Sequence, residues 1–534
     1  MRNIFPIVRG DSNKTWETYC GFLGLSIEEF MEIQEHLLLE QIDLMSQSSL
    51  GKKIMQGTNP RSLAEFRRLV PLTTYDDYAP YIGDCQENAL PEKPLYWART
   101  SGRGGKTKWV PYTKKAIDQV GKHGITMLIL ACASRRGEVR ISNGFRIMHN
   151  LPPKPYYAGI GALAMLQQMP LRMIPPISGT EEGSFQQRIQ DGFMMGLRVG
   201  TDMICSLTSV LVKMGERFSD SSGSMKISRS MLQPQIIARL LIAYLRSKRA
   251  GRAMLPKDLW KLKGLICYGM DTAIYREQLK HYWGGEPYEI YGATEAPLAA
   301  LQAWNKKGMT FYPYTGFYEF APEEEWLKSR ENKGYQPRTV LLNELEPGKC
   351  YEVIITNFHG LPFMRYRIGD LIRVIGLEDN EIGISLPQVI FERRADDIID
   401  IAGFTRLDEK TVWQAIANTG VRYEDWSARK EYDGDQPVIK IYMELKDSNN
   451  DQDLQRLLHT QLKAVSKDYT DLREMIGTQP LRVVIIPQGS FQRYYEEKRR
   501  AGVDLAHLKP AHINASDEDI EGLLYLMRDQ KQEK

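Results

Sequence analysis

Cysteine is scarce in this sequence, and its spacing suggests no pairing. The 534 residues contain six cysteines, with no CxxC pair and no grouping with histidine. Disulfide frameworks and structural zinc sites both depend on such spacings, so neither is predicted. The pattern favours the reducing cytoplasm as the location of the protein.

Long apolar runs and an excess of one charge are missing too. The best apolar run, residues 125–133, is too short to cross a bilayer. The 70 basic and 67 acidic residues leave a formal net charge of +3, which gives no reason to expect nucleic acid or a membrane as a partner. We therefore expect a soluble protein, and the sequence leaves its oligomeric state open.

The sequence does contain one unusual stretch, Thr100–Lys108, with three glycines, three hydroxyls and three cationic side chains. Glycine lets backbone N–H groups turn toward an anion, while hydroxyls and cations add donors and charge, so the composition is typical of phosphate binding. Neither the Walker nor the dinucleotide spacing fits. The flanking residues 94–99 and 109–112 have the pattern of strands, so a glycine-rich hairpin tip is the alternative interpretation.

Apolar periodicity gives the organisation of the chain. A capping box of Ser26 and Glu29 begins the first clear helix. Further helices are expected near residues 114–133, 187–198, 200–217 and 228–248. A strand at 265–268, a helix near 273–283 and a strand at 288–291 follow in βαβ order, which favours a parallel or mixed sheet.

The predicted secondary structure changes in character twice after this βαβ unit. From about residue 311 short strands dominate, which indicates a barrel-like or antiparallel part. Past residue 394 the chain alternates between short helices and strands, as a compact α+β domain does. Its helices are expected near 408–417, 452–464 and 516–527, and its strands near 437–445 and 481–486.

These patterns predict an α/β protein of two domains. Residues 1–395 would form a large domain of mixed β-sheets flanked by helices plus a β-barrel-like part. Residues 396–534 would form a smaller α+β domain.

Three further motifs stand out, each with a structural alternative. Tyr291–Glu295 follows a strand and offers an aromatic ring and a carboxylate, although Thr294 and Glu295 also suit a helix start. Arg365–Asp370 combines two guanidinium groups with a carboxylate, as a buried ion-paired turn also would. Glu392–Gly403, on the domain boundary, is rich in charge and resembles a solvated linker.

Together with the glycine stretch, these motifs resemble those of the adenylate-forming (ANL) superfamily, in the same order along the chain. Within it the sequence is most similar to the Gretchen-Hagen-type (auxin-responsive promoter family) acyl-acid amido synthetases. Two segments carry that closer resemblance, Val70–Ile82 and Gly316–Phe320. The resemblance extends over about residues 34 to 512 and implies an ANL-type large domain with a mobile C-terminal domain.

The resemblance also implies roles for particular residues. Thr100, Ser101, Gly102 and Lys106 would hold the β- and γ-phosphates of ATP. Tyr291 would stack on adenine, and Asp370 would accept hydrogen bonds from the ribose hydroxyls. The expected nucleotide-binding residues are Thr100, Ser101, Gly102, Lys106, Tyr291, Gly292, Thr294 and Asp370.

Four other residues would serve catalysis. By the same resemblance, Glu295 would bind the Mg²⁺ that bridges the phosphates, and Arg394 would help fix the nucleotide. Asp396 would be the hinge about which the C-terminal domain rotates. Lys509 would reach the α-phosphate during adenylation, with a plain surface lysine as the alternative.

The sequence departs from the family pattern at two places. Arg103-Gly104 replaces the usual pair of hydroxyl residues in the glycine stretch, and Asp400 stands where many relatives carry lysine. No segment clearly lines an acyl pocket, because Met203, Ile204 and Leu207, expected on a helix, are as compatible with the core.

The activity implied is a two-step ligation. A carboxylic acid would attack the α-phosphorus of Mg-ATP to give acyl-AMP and pyrophosphate, and an amine, by resemblance that of an amino acid, would then displace AMP. The alternatives are an acyl-CoA ligase of the phenylacetate type, with coenzyme A as acceptor, and a nucleotide-binding pseudoenzyme.

Overall fold

The computed structural model is described here over most of the chain. The described ranges are 12–100, 108–177, 185–221, 232–268, 272, 275–332, 334–394, 398–401, 405–434, 436–446, 453–476, 480–500 and 512–532. The chain divides into two compact units after residue 395. That the second unit moves as a domain stays a prediction.

The first unit mixes helices and strands throughout. Its helices are α1 Ser12–Cys20, α2 Ile27–Ser46, α3 Ser49–Ile54, α4 Leu63–Leu69, α5 Tyr75–Ile82, α6 Lys114–Cys132, α7 Tyr157–Gln168, α8 Phe185–Val199, α9 Thr208–Ser221, α10 Pro234–Arg249, α11 Pro256–Leu259, α12 Arg276–Trp283 and α13 Glu323–Glu331. Its strands are β1 Tyr96–Thr100, β2 Lys108–Tyr112, β3 Arg146–His149, β4 Arg172–Ile174, β5 Met203–Leu207, β6 Gly264–Tyr268, β7 Tyr288–Tyr291, β8 Ala300–Gln302, β9 Met309–Phe311, β10 Gly316–Pro322, β11 Cys350–Asn357, β12 Tyr366–Gly376 and β13 Gln388–Arg394.

One 11-stranded sheet organises this unit, in the order β10-β11-β12-β13-β9-β8-β7-β6-β5-β3-β4. The strands from β4 to β7 pair in parallel, and those from β7 to β10 pair antiparallel. The predicted βαβ order is confirmed by β6, α12 and β7. The predicted barrel-like or antiparallel part corresponds to β10–β13, which are antiparallel strands that continue the parallel strands in the same sheet.

The parallel strands are covered on both faces. Alternate residues of β3 and β5 point to opposite sides, so Ile147 and Met203 join the core cluster that contains α6 and α7. Met148 and Ile204 join a second cluster, which contains residues of α8 to α12. This double cover explains why apolar residues follow one another directly in these strands, as Ile147 and Met148 do in β3 and Met203 and Ile204 do in β5.

The expected helix over 200–217 is wrong in its first third. Residues Met203–Leu207 form the buried strand β5, and the helix, α9, begins only at Thr208. A short apolar run buried on both faces has no alternation to distinguish it from a buried helix. Met203, Ile204 and Leu207 therefore lie on a strand.

Local signals explain the first clear helix. Ser26 Oγ accepts a hydrogen bond from the N–H of Glu29, and Glu29 Oε2 accepts one from the N–H of Ser26. This reciprocal capping box satisfies N–H groups at the start of α2. Buried Gln34 and Gln41 on that helix then donate to backbone carbonyls of Gly316 and Leu361, which ties α2 to the antiparallel strands.

The second unit has the expected α+β composition. Its helices are α14 Glu409–Asn418, α15 Leu454–Val465, α16 Lys467–Ile476, α17 Ser490–Arg500 and α18 Asp517–Gln532, and its strands are β14 Ile398–Ile401, β15 Thr405–Asp408, β16 Tyr423–Asp433, β17 Gln436–Leu445 and β18 Leu481–Ile486. β16, β17 and β18 form one sheet, and β14 pairs with β15. None of the described helices of either unit has the length and apolar character needed to span a membrane.

Candidate functional site

The candidate site begins at the end of β7, where the sheet changes direction. β7 pairs in parallel with β6 and antiparallel with β8. The segment Tyr291–Glu295 leaves the carboxyl end of β7 at this point. In α/β sheets such an edge is where ligands bind, because loop side chains and backbone groups converge there.

The backbone of this segment forms a turn and not a helix. Ala293 and Ala296 exchange backbone hydrogen bonds of 3.0 and 3.1 Å, and no helix begins anywhere in residues 292–299, all of which are described. The helix-start interpretation of Thr294 and Glu295 is therefore wrong. Gly292 is required for packing, because a Cβ there would lie 2.7 Å from the backbone nitrogen of Leu298.

Two contacts fix the position of this turn. The hydroxyl of Tyr112, on β2, donates to the carbonyl of Thr294 at 2.6 Å. The side-chain amide of Asn357, at the end of β11, donates to the carbonyl of Glu295 at 2.9 Å. The turn is thus held between the hairpin that carries the glycine stretch and the antiparallel strands.

The Glu295 carboxylate is buried and faces a cation. Lys108 Nζ lies 3.7 Å from Glu295 Oε1, and the Tyr366 hydroxyl donates to the same oxygen at 3.5 Å. Burial, together with the negative charge of Glu295, raises the pKa of Tyr366 well above its usual value. Tyr366 therefore stays a neutral donor, and the carboxylate has one positive and one neutral partner.

Lys108 was not among the predicted site residues. It is the first residue of β2 and pairs in register with Thr100, the last residue of β1. Its ammonium group lies 5.0 Å from the centroid of the Tyr75 ring, and the side chain is only 24% exposed. The sequence signal that could have identified Lys108 is the strand pattern of residues 109–112. Extended by one residue toward the N-terminus, this strand begins at Lys108, where the glycine stretch ends.

The predicted strands on either side of the glycine stretch are confirmed. β1 and β2 are antiparallel, so the stretch does connect two strands. Ser101, Gly102 and Lys106 lie outside the described residues, and Thr100 is described by its backbone alone. Their contacts with phosphate stay a prediction.

Asp370 forms the second half of the site. It lies opposite Arg394 in the β12–β13 register, and Arg394 Nη1 is 2.8 Å from Asp370 Oδ1. The Tyr291 hydroxyl donates to Asp370 Oδ2 at 3.1 Å. With Asp370 only 4% exposed, this is an oriented, buried carboxylate beside the β7 turn.

Tyr291 is itself buried. Its ring lies 6.2 Å from that of Phe391 and 6.4 Å from that of Phe311, measured between centroids. Burial and the negative charge of Asp370 raise the pKa of Tyr291 well above its usual value, so the hydroxyl is a donor at neutral pH. The structure therefore gives Tyr291 a contact with Asp370, and stacking on adenine stays a prediction.

The two arginines of the Arg365–Asp370 motif have structural partners. Arg365 makes a bidentate pair with buried Glu319, through Nε at 2.9 Å and Nη2 at 2.8 Å. Arg367 pairs with Glu352 at 2.7 Å. The ion-paired interpretation thus holds for the guanidinium groups, whereas Asp370 faces Tyr291 and Arg394.

The family-like segment Val70–Ile82 supports the site from a third direction. Backbone hydrogen bonds join Thr73 to Arg365 and Arg367, which makes a short parallel pairing with β12. Tyr75 accepts a hydrogen bond from the N–H of Trp109 at 2.8 Å. The segment thereby brings the Tyr75 ring against Lys108.

A small cavity lies at the carboxyl ends of β3 and β5, lined by residues that include His149, Asn150 and Ser206. Burial lowers the pKa of His149 to about 4, so its ring is neutral. Tyr268, at the end of β6, donates to Asn150 Oδ1 at 2.8 Å. Among the described residues the buried Nδ2 of Asn150 has no hydrogen-bond acceptor.

The second unit contains Asp400 and a turn that connects β18 to α17. Asp400 is buried and pairs with Arg406 at 3.2 Å, so the departure from lysine at this position is accommodated by an ion pair. In the Gly489–Phe491 segment, the backbone N–H groups of Gly489 and Phe491 donate to the Glu444 carboxylate at 2.7 and 2.9 Å. The predicted hinge Asp396 and catalytic Lys509 lie outside the described residues.

Comparison with solved structures identifies the class of fold. An acyl acid amido synthetase, AtGH3.15, matches with a TM-score of 0.55 at 17% identity and covers 97% of both chains. A 2-hydroxyisobutyryl-CoA ligase matches with a TM-score of 0.59 at 12% identity and covers 96% of this chain and 93% of that one. The chain therefore has the fold of the adenylate-forming ligases.

The sequence comparisons identify the family. Models of the GH3 family N-terminal, central and C-terminal domains match residues 22–148, 309–394 and 409–518, which together are more than half of the chain. The protein belongs to the GH3 family.

Curated relatives match this chain over part of their length. A jasmonoyl–L-amino acid synthetase, GH3.5, of Oryza sativa subsp. japonica is 27% identical over 47% of this chain and 46% of its own length. An indole-3-acetic acid-amido synthetase, GH3.3, of Arabidopsis thaliana is 25% identical over 55% of this chain and 51% of its own length. The chain thus spans about half the length of these relatives in the matched regions.

Proposed function

We propose that this protein is an ATP-dependent acyl-acid amido synthetase. It activates a small carboxylic acid as acyl-AMP and transfers the acyl group to the amine of an amino acid. The observation that carries the proposal is the presence of two buried carboxylates at the turn after β7: Glu295 lies in the turn, and Asp370 accepts a hydrogen bond from Tyr291 where the turn begins. Membership of the GH3 family and the names of its curated members support the same activity.

Glu295 has the chemistry that Mg²⁺ requires. Mg²⁺ prefers oxygen ligands and is usually held by one or two carboxylates together with substrate phosphates and water. Glu295 supplies one carboxylate, and no group of three or more metal-binding side chains occurs among the described residues. When bound with ATP, Mg²⁺ would offset charge on the phosphates. Lys108, beside Glu295, would add a cation at the same place.

Asp370 suits the ribose hydroxyls of ATP. A carboxylate accepts two hydroxyl hydrogen bonds, and the pairing with Arg394 and Tyr291 fixes its orientation before the nucleotide arrives. Since catalysis of phosphoryl and nucleotidyl transfer depends mainly on positioning and charge, such preorganisation lowers the barrier to adenylation.

One oxygen of the carboxylic acid would enter the cavity beside Asn150, whose volume of about 20 Å³ has room for a water-sized group. The support is Asn150 Nδ2, a buried donor that has no acceptor among the described residues, because such a donor costs stability that a ligand oxygen restores.

Pyrophosphate exchange tests the proposal. We expect exchange of labelled pyrophosphate into ATP that depends on one or more members of a panel of carboxylic acids. ATP binding without exchange for any acid would favour a pseudoenzyme. With an accepted acid, amide formed from amino acids supports the assignment, whereas a thioester from coenzyme A without amide would make the protein an acyl-CoA ligase.

A further inference from the structure

Exposed apolar side chains gather on one helix of the first unit, α10. This helix buries only Ile236, Ala243 and Ser247 against the rest of the protein. The exposed apolar residues on it and just before it are Leu232 (60% exposed), Ile237 (46%), Leu241 (56%), Ile242 (49%), Tyr244 (50%) and Leu245 (59%). A contiguous apolar patch of this kind marks an interaction surface, since isolated exposed residues are ordinary but clusters are not.

The charge around this patch is of one sign. Residues 232–257 contain six lysine and arginine residues and no aspartate or glutamate. Arg252 pairs with Asp258, and Arg239 and Arg246 donate to backbone carbonyls. Lys248 and Arg249 remain exposed in the last turn of α10, next to the apolar patch.

The neighbouring helices do not neutralise these cations. α10 packs against α8 and α11. The acidic residue of α8, Asp191, accepts a hydrogen bond from Gln187, and that of α11, Asp258, is the partner of Arg252. The patch therefore combines exposed apolar side chains with exposed positive charge.

A second copy of the chain fits this surface poorly. Parallel α10 helices would bring Lys248 and Arg249 of each copy together. Antiparallel helices would bring the same cations to the N-terminal end of the other helix, which carries a partial positive charge. Both arrangements are repulsive. Side chains that are about half exposed stand out from the helix, whereas a groove for a peptide would shelter them.

We propose that α10 binds the surface of an anionic phospholipid bilayer. Its apolar face would enter the boundary between headgroups and acyl chains, while Lys248 and Arg249 contact lipid phosphates, as in other basic amphipathic helices that lie in the interface. The near-zero net charge of the chain gave no reason to expect a membrane because the sum conceals this local excess. The inference is independent of the proposed catalytic activity.

Vesicle sedimentation with the full chain tests this surface. We expect the protein to sediment with vesicles of equal parts phosphatidylcholine and phosphatidylserine, and to stay in solution with phosphatidylcholine alone or at high salt. Replacing Leu241 and Leu245 together by glutamate should weaken binding by at least about tenfold, since each leucine removed from the interface costs more than 1 kcal/mol. Lys248→Glu and Arg249→Glu should each weaken it by about fivefold, or about 1 kcal/mol per charge.

Leu377→Glu is the matched control, because Leu377 is 46% exposed and lies outside the patch. It should bind vesicles as the parent does. Parent protein that stays in solution with the anionic vesicles at low salt would overturn the proposal, and so would equal binding by the double variant. Self-association of the parent that the double variant abolishes, without any vesicle binding, would show that a second copy covers the patch instead.

Discussion

Asp370 and Arg394 face each other across β12 and β13, with 2.8 Å between Asp370 Oδ1 and Arg394 Nη1. Tyr291, from the neighbouring turn, binds the other oxygen of the same carboxylate. The arrangement joins residues of three sequence motifs, Tyr291–Glu295, Arg365–Asp370 and Glu392–Gly403, into one group of contacts. A carboxylate that is oriented on both oxygens is ready to accept a ligand without rearrangement.

Asp370→Asn should therefore weaken ATP binding. The amide keeps the shape of the side chain but loses the charge-assisted contacts, so we expect a loss of about 1.5–3 kcal/mol in ATP affinity. Equilibrium binding of ATP measures it, with Asp118→Asn on the exposed face of α6 as the control. Wild-type affinity in the Asp370 variant would remove this residue from the nucleotide site.

Glu295→Gln tests the metal assignment. Loss of one anionic ligand should raise the magnesium concentration needed for half-maximal exchange by about tenfold, equivalent to about 1.4 kcal/mol for one lost charged contact. The measurement is a magnesium titration of pyrophosphate exchange, and exposed Glu378→Gln should overlay the parent. If Glu295→Gln also overlays it, Glu295 serves only to hold the turn after β7.

Substitution can show which of the two lysines, Lys108 or Lys106, contributes to adenylation. Lys108 contacts the buried Glu295, so Lys108→Ala should lower kcat/KM for adenylation by about 1.5–3 kcal/mol, the scale of a contact with a charged group. Lys114→Ala, in an exposed pair with Asp118, is the control. A large loss of kcat/KM in Lys106→Ala with no loss in Lys108→Ala would show that Lys106, the residue expected from the sequence, binds phosphate and that Lys108 does not.

Elements with a strong local pattern could be predicted from the sequence, whereas contacts between distant residues could not. The strand at 481–486 and the helix from 114 were predictable because their apolar patterns are strong and local. β5 was not, because a strand buried on both faces lacks alternation. The strand pattern of residues 109–112 could place Lys108 at the hairpin, but it could not show the contact of Lys108 with Glu295. The partners of Arg365 and Arg367 lie on other strands. Long-range contacts of this kind leave no local pattern.

His512 should make the second unit sensitive to pH. Its Nε2 lies 2.8 Å from Asp425 and its Nδ1 lies 2.5 Å from Glu409. The hydrogen bond to Asp425 raises the pKa of His512, although burial opposes the shift. Burial would raise the pKa of Asp425, but hydrogen bonds from His512 and Tyr495 lower it to about 2, so the carboxylate is charged at neutral pH and favours the protonated form of His512.

The direction in which pH changes the unfolding free energy follows from the direction of the His512 pKa shift. A raised pKa in the folded state means that the contribution of His512 is fully present below the unfolded pKa of about 6.5 and is lost as the pH rises through the folded value. Above about pH 6.5 the unfolding free energy of the second unit should therefore fall as the pH rises. Urea unfolding of the parent and of His512→Gln measures this. The variant should lose the slope, and exposed His36→Gln should keep it; an unchanged slope in the His512 variant would contradict the assignment.

Lys509 and Asp396 should separate the two half-reactions, if the resemblance to adenylate-forming enzymes extends to them. A lysine that contacts the α-phosphate only during adenylation stabilises that transition state alone, so Lys509→Ala should lose roughly 3–4 kcal/mol in pyrophosphate exchange. Supplied with preformed acyl-AMP, the same variant should still form amide at close to the parent rate.

Asp396→Pro should have a different effect, because proline fixes φ and restricts rotation at a hinge. We expect proline to be compatible with only one of the two domain orientations. The half-reaction that needs the other orientation should slow, and the remaining half-reaction should stay close to the parent rate. Exchange and acyl transfer are measured separately on both variants, with Lys446→Ala, an exposed lysine of the second unit, as the control. A Lys509→Ala enzyme that loses both steps equally, or neither, would show that this lysine is not specific to adenylation.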